Sequence, residues 1–87
     1  MTSFKAKITD PVGLHARPAS VTVAAATKFT SNITIESDGK SGNLKSIMNI
    51  MAMGIKQGAT IEISAEGDDA EQAISSIKET MEKNNLI

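Results

Sequence analysis

Apolar and polar residues alternate along three short stretches of the chain, at positions 4–8, 33–35 and 61–65. Alternation with a period of two is typical of a β-strand that buries one face. The pair Asp38-Gly39 follows the second stretch and favours a tight hairpin turn, so a further strand at about 40–43 is expected to fold back on it. The pattern therefore predicts four strands.

Apolar residues at helical spacing predict three helices in the remaining segments. The first runs from 16 to 29, with Pro18 where a first turn tolerates proline. Ser46 is a suitable N-cap for a short second helix. Asp69, with Gln72 three residues later, is typical of a capping-box start for the last helix. The buried face of that helix is predicted to comprise Ala70, Ala73, Ile74, Ile77 and Met81.

The elements follow the order strand, helix, strand, strand, helix, strand, helix, without repeats or a low-complexity linker. Because each strand has one apolar face, an antiparallel sheet covered by helices on one side and open to solvent on the other fits best. The predicted fold class is α+β. A chain of 87 residues leaves room for one domain, spanning 1–87.

Composition narrows the classes of function. Nine basic and ten acidic side chains give a formal charge of -1, and there are two aromatic residues, so the basic, base-stacking surface of a nucleic-acid-binding protein is missing. No apolar run approaches the roughly 20 residues that cross a bilayer. With no cysteine and no apolar run typical of a signal peptide, we expect a cytoplasmic protein without disulfides or thiolate chemistry.

The one histidine, His15, lies where a loop meets the predicted start of the first helix. A helix start has unpaired N–H groups and a partial positive charge, so the amides of Ala16 and Arg17 can receive a phosphate carried by the imidazole. The Arg17 guanidinium can bind two phosphate oxygens, and Pro18 fixes the turn in helical geometry. Free imidazole loses its charge near neutral pH, and its unprotonated nitrogen is then a nucleophile. We expect phosphoryl transfer here without a metal or a cofactor.

The alternative is that His15 is an ordinary surface or capping histidine and Arg17 a solvated charge. The string Gly-Leu-His-Ala-Arg-Pro-Ala at 13–19 resembles the active-site motif of the HPr family, the histidine-containing phosphocarriers of the bacterial phosphoenolpyruvate-dependent sugar phosphotransferase system. The resemblance covers nearly the whole chain, including the Met-rich middle and the Ala-Glu-Gly-Asp-Asp-Ala segment before the last helix. It favours His15 as a phosphate carrier.

The resemblance implies an open-faced β-sandwich, in which three helices cover one face of a four-stranded antiparallel sheet. It also implies that Nδ1 of His15 accepts phosphate from phosphorylated Enzyme I, and that the A domains of sugar permeases receive it. Val12 departs from the family pattern, since many members have Ser or Asn at this position near the phosphate. We expect Ala16, Arg17 and the helix N-terminus to be sufficient to bind the phosphate. Whether Val12 changes the lifetime of the phosphohistidine stays open.

Ser46 has two interpretations. As an N-cap it would contribute about 1 kcal/mol to helix stability. The segment Asn-Leu-Lys-Ser-Ile-Met at 43–48 also resembles the regulatory serine region of HPr from Gram-positive bacteria. That resemblance implies phosphorylation by an ATP-dependent HPr kinase/phosphorylase and contact with a catabolite-control transcription factor. Because a phosphate at a helix N-terminus is tolerated, its effect is expected on docking and not on the fold.

A partner-docking surface is predicted on the first and second helices. Small residues beside flexible thioethers suit a surface that accepts several partners. The surface comprises Ala16, Ser20, Ala24, Ile47, Met48 and Met51. The alternative is that the methionines fill the core. A carrier that serves several partners works most simply as a monomer.

Three rival functions are weaker. A regulatory docking module would keep the fold and Ser46 without carrying phosphate, and the joint presence of His15 and Arg17 disfavours it. A small acyl phosphatase would need an organised pocket, which an isolated His-Arg pair does not provide. A nucleic-acid-binding sheet lacks the charge and the aromatic residues. The acidic residues at 68–71 are expected to stabilise a helix start and not to bind a metal.

Overall fold

A computed structural model describes residues 2–87 as four strands and three helices. The strands are β1 (Thr2–Lys7), β2 (Asn32–Ser37), β3 (Lys40–Asn43) and β4 (Thr60–Glu66). The helices are α1 (Ala16–Ala26), α2 (Ile47–Ala52) and α3 (Ala70–Lys83). The predicted α+β class and the predicted order of elements are confirmed.

The four strands form one antiparallel sheet in the order β1-β4-β2-β3. The inner strand β4 pairs Ile63 with Phe4 on one side and with Ile35 on the other, and these residues point to the same face. The opposite face carries pairs such as Lys5 with Glu62 and is open to solvent. The sheet is therefore apolar toward the helices and polar toward water.

The helices pack on the apolar face and on one another. Helix α1 contacts both α3 and α2, while α3 contacts β1 and β4. The face of α1 that turns inward is built from small residues, among them Ala19 and Ala26, which let the helix lie close to its neighbours. The Thr22 hydroxyl on that face donates to the Pro18 carbonyl at 2.9 Å, so its burial leaves no unpaired polar group.

The predicted hairpin between β2 and β3 is confirmed. Asp38 and Gly39 have φ angles of 53° and 78°, and Ser37 pairs with Lys40 directly across the turn. Two consecutive residues with positive φ define the turn whose twist matches paired antiparallel strands.

The predicted end of the first helix at Phe29 is wrong by three residues, because α1 ends at Ala26. Thr27 still donates its N–H to the Val23 carbonyl at 2.9 Å, and Phe29 donates to Ala26 at 3.2 Å in a tighter turn. This turn lets the half-buried Phe29 pack against the core while the chain changes direction toward β2. Packing of one aromatic ring thus outweighs the helical spacing.

Asp69 is the N-cap residue of α3, as predicted, but the predicted capping box does not form. The Asp69 side chain makes no capping hydrogen bond to α3. Its carboxylate instead accepts the N–H groups of Thr30 at 2.9 Å and Ser31 at 3.0 Å, together with both of their hydroxyls. Asp69 therefore ties the start of α3 to the segment that follows α1.

These contacts make the stability of the fold depend on acid pH. The hydroxyl of Ser31, followed by the N–H of Thr30, lowers the pKa of the Asp69 carboxyl from 3.8 to about 2. A carboxyl with a lowered pKa in the folded state stabilises that state above its unfolded pKa. We expect this contribution to be complete above about pH 4 and to be lost as the pH falls toward 2.

The measurement is denaturant unfolding from pH 5 to pH 2 for the parent and for Asp69→Asn. The difference in unfolding free energy between the two proteins should be largest at pH 5 and should shrink as the pH falls. Asp68→Asn removes the exposed neighbouring carboxylate and should keep the parental pH dependence. Parallel curves for the parent and Asp69→Asn would contradict the role given to these hydrogen bonds.

Candidate functional site

The loop that leads into α1 is fixed by a close approach between two stretches of backbone. Gly13 has a φ of 83°, and a Cβ at this position would lie 2.7 Å from the Lys56 Cα and still nearer to the Ile55 carbonyl oxygen. The next residue, Leu14, is buried and donates its N–H to the same Ile55 oxygen at 3.0 Å. Only glycine fits this conformation and this space.

A β-turn precedes Gly13. Gly13 donates its N–H to the Asp10 carbonyl at 3.0 Å, which closes the turn over Pro11 and Val12. Asp, Pro and Gly stand at the first, second and fourth positions, where this kind of turn favours them. The Asp10 side chain adds a second closure, because its Oδ1 accepts the Val12 N–H at 2.9 Å.

His15 is the N-cap residue of α1, with extended backbone angles of φ −84° and ψ −168°. Its carbonyl accepts the N–H of Ala19 at 2.9 Å, while its side chain makes no capping hydrogen bond. The imidazole is 38% exposed. The predicted placement of His15 at a helix start is thus confirmed, and the imidazole ring does not cap the helix.

The first turn of α1 leaves two amides for an anion. Ala19 donates to His15 and Pro18 has no N–H, so Ala16 and Arg17 supply the first-turn donors that lack an intrahelical acceptor. No acidic residue occupies this turn. The Arg17 side chain is exposed and makes no ion pair within residues 2–87. The helix start and the guanidinium are therefore both available to a phosphate.

Asp10 belongs to the site, although the sequence analysis did not identify it as a site residue. Its carboxylate is 12% exposed, and Oδ1 lies 3.7 Å from Nε2 of His15. The signal that could have revealed it is the spacing of the Asp-Pro-Val-Gly turn, which folds the chain back toward the helix start.

Val12 is 66% exposed and offers no hydroxyl or amide to a phosphate. Its N–H is occupied by Asp10. This exposed valine lies in the turn that precedes Gly13, and it was not among the residues predicted for docking.

Ser46 is the N-cap of α2, as predicted. Its hydroxyl oxygen accepts the N–H of Asn49 at 3.2 Å and also the Asn49 side-chain amide at 3.1 Å. The side-chain oxygen of Asn49 in turn accepts the N–H of Asn43 at 3.1 Å. The half-buried serine is therefore held in a small network at the end of β3.

All six residues predicted for docking are exposed: Ala16, Ser20, Ala24, Ile47, Met48 and Met51. Met48 is 81% exposed, whereas Ile50 on the opposite side of α2 is fully buried. The alternative that Met48 and Met51 fill the core is therefore wrong. Because α1 packs against α2, the exposed faces belong to neighbouring helices. We call these six residues the docking surface.

Neither a membrane-spanning helix nor a metal-binding cluster occurs within residues 2–87. No helix in this range is long and apolar enough to cross a membrane. The acidic residues at 68–71 are not part of any group of three or more His, Cys, Asp or Glu side chains arranged to hold a metal ion in the described chain.

Comparison with known proteins gives consistent matches. A family model described as the PTS HPr component phosphorylation site matches residues 2–83. The phosphocarrier protein HPr of Mycoplasma capricolum subsp. capricolum is 62% identical over 87 residues, which cover 100% of this chain and 98% of that protein. The matched region includes both the histidine segment and the Ser46 segment.

Solved structures agree with these matches. The histidine-containing phosphocarrier protein of a Mycoplasma has a TM-score of 0.97 at 62% identity, over 99% of this chain and 98% of the other. HPr from Thermoanaerobacter tengcongensis has a TM-score of 0.91 at 46% identity, over 95% and 93% of the two chains.

Gly13→Ala tests the backbone contact that fixes the loop. We expect a loss of about 2 kcal/mol or more in unfolding free energy, since the change combines an unfavourable φ with a clash against backbone atoms. Denaturant unfolding measures it. Gly58→Ala is the matched control, because Gly58 has a φ of 89° with nothing within 4 Å of where its Cβ would lie, so it should lose only the conformational part. Equal losses in both variants would contradict the importance of the Ile55 contact.

Proposed function

Because the chain belongs to the HPr family of phosphocarrier proteins, we propose that Nδ1 of His15 takes a phosphoryl group from phosphorylated Enzyme I and delivers it to the A domains of sugar permeases. The observation that carries this proposal is the position of His15 at the open start of α1, next to two available amides and an exposed arginine. A docking module without carrier activity would not require the histidine, the free amides and the arginine to lie together.

The chemistry requires positioning and charge neutralisation. The Nδ1 lone pair attacks phosphorus in line with the bond that joins it to the donor, and that bond breaks as the new P–N bond forms. The amides of Ala16 and Arg17 and the positive end of α1 receive the phosphoryl oxygens, and the guanidinium adds two charge-assisted hydrogen bonds. Position 12 supplies no side-chain contact, so this end of α1 carries the whole task.

We assign no turnover to the protein itself. The imidazole is 38% exposed, so a second protein would exclude water from the site during transfer. The protein acts as a stoichiometric, cytoplasmic, monomeric carrier built as one domain over 1–87, without a cofactor. The docking surface is where Enzyme I and the permease domains bind.

Ser46 regulates this docking surface. Phosphorylation by an HPr kinase/phosphorylase would add nearly two negative charges at the start of α2, beside Ile47 and the highly exposed Met48. A partner that covers these residues would have to desolvate the phosphate, so docking weakens. The same phosphoserine would offer a catabolite-control transcription factor a charged contact. The start of α2 tolerates the phosphate, because its N–H groups can donate to the added oxygens.

The carrier function is tested with Enzyme I and phosphoenolpyruvate. We expect a mass gain of one phosphoryl group on an acid-labile linkage, absent in His15→Ala. Arg17→Ala should slow uptake by about tenfold or more, since hydrogen bonds to charged groups contribute about 1.5–3 kcal/mol. Lys28→Ala removes an exposed cation just beyond the other end of α1 and should leave the rate unchanged. No mass gain in the parent protein would favour the docking module.

The regulatory role is tested with Ser46→Asp. We expect slower uptake from Enzyme I at limiting concentrations through a raised KM, because a charge then adjoins the docking surface. Met48→Ser should also raise KM without adding charge, while Ser75→Asp adds the same charge on the exposed side of α3 and should not. Ser46→Ala should cost about 1 kcal/mol in stability and dock normally. Parental kinetics in Ser46→Asp would defeat the proposed regulation.

A further inference from the structure

The carboxylate of Asp10 is held against the imidazole by the turn that precedes α1. Its Oδ1 accepts the Val12 N–H at 2.9 Å, and its main-chain carbonyl accepts the Gly13 N–H at 3.0 Å. Because both the side chain and the main chain of Asp10 are hydrogen-bonded within the turn, the carboxylate is held near the start of α1. The same Oδ1 lies 3.7 Å from Nε2 of His15.

The geometry points to Asp10 as a positioning residue that selects the reactive nitrogen of His15. A neutral imidazole carries one proton, and the nitrogen without it is the nucleophile. A fixed carboxylate beside Nε2 favours the tautomer with the proton on that atom and orients the ring. Nδ1 is then the free nucleophile. This inference rests on the proposed function, which makes His15 the acceptor.

The charge that develops during transfer strengthens the contact. When the Nδ1 lone pair forms the bond to phosphorus, the electrons of the broken bond return to the donor, and the Nε2 proton stays on the ring. The phosphorylated imidazole is then formally cationic, and its proton faces the Asp10 carboxylate. A separation of 3.7 Å exceeds a hydrogen bond in the free protein. Such contacts tighten when the reacting complex forms.

The neighbouring charge of Arg17 has a different task. Arg17 follows the histidine on the helix, where its guanidinium can reach the phosphoryl oxygens, whereas Asp10 approaches the ring from the preceding turn. The two residues thus divide the site between the phosphoryl group and the imidazole. The Asp10 carboxylate would hold the cationic ring while Arg17 neutralises the phosphoryl oxygens.

Asp10→Asn tests this role because the asparagine oxygen can still accept the Val12 N–H, so the turn is kept while the charge is removed. Asp68→Asn is the matched control, because it makes the same exchange just before α3. Its neighbour Asp69 contacts Thr30 and Ser31, which follow the C-terminal end of α1. Both variants should keep the parental Tm. If Asp10→Asn lowers the Tm, Asp10→Ser replaces it, since the serine hydroxyl can also close the turn without charge.

Two measurements are made on each protein. Nitrogen-15 NMR of the neutral His15 ring should show the Nε2–H tautomer in the parent and in Asp68→Asn, with a shift toward a mixture in Asp10→Asn. Phosphoryl uptake from Enzyme I should slow by about tenfold in Asp10→Asn, the lower end of the loss caused by removing a group that orients a metal-bound histidine. An unchanged tautomer with an unchanged rate overturns the inference.

The two proposals fail in different ways. If the parent protein takes up no phosphoryl group, the carrier function is wrong, and the NMR comparison still decides whether Asp10 holds the ring. If the parent is phosphorylated and Asp10→Asn matches it in both measurements, the carrier function stands and the positioning role of Asp10 is wrong.

Discussion

The close approach of Gly13 to the backbone of Ile55 and Lys56 fixes where α1 begins, and the geometry at His15 depends on it. A loop held only by side chains would let the helix start fray by a residue or two, as helix ends commonly do. Here Leu14 is buried and bonded to the same Ile55 carbonyl, and the next residue, His15, is the N-cap. The imidazole consequently has a defined position on the surface, beside the amides of the first turn of α1.

The N-termini of the three helices are built in three different ways. At α2, the Ser46 hydroxyl satisfies one of them, and the helix is capped locally. At α3, Asp69 turns away from the helix to bind Thr30 and Ser31, so its charge supports the tertiary fold. At α1, neither a capping side chain nor an acidic residue is present in the first turn. An uncapped helix start costs stability, and it provides an anion site where a phosphocarrier needs one.

The sequence predicted what depends on local pattern. Alternation around Ile35 and Ile63 specified the strands, and the turn chemistry of Asp38-Gly39 specified the hairpin. Local pattern failed where a tertiary contact competed with it. Phe29 packs against the core beyond the end of α1, and the Asp69 carboxylate accepts hydrogen bonds from a distant segment and not from its own helix. The contact between Asp10 and His15 was missed for the same reason, since it depends on how a turn folds back.

Exposure and reactivity have to coexist at His15, and the arrangement of the site explains how they do. Under the proposed function, a phosphorylated imidazole that enters several partners cannot lie in a closed pocket, so protection has to come from each partner's own surface. What this chain provides in advance is an imidazole at an uncapped helix start, with the Asp10 carboxylate 3.7 Å from Nε2. Since Ser46 begins a different helix, a phosphate there would alter the surface that partners cover without changing the groups around the imidazole. The proposed regulation and the proposed chemistry can therefore occupy adjacent helices of one small fold.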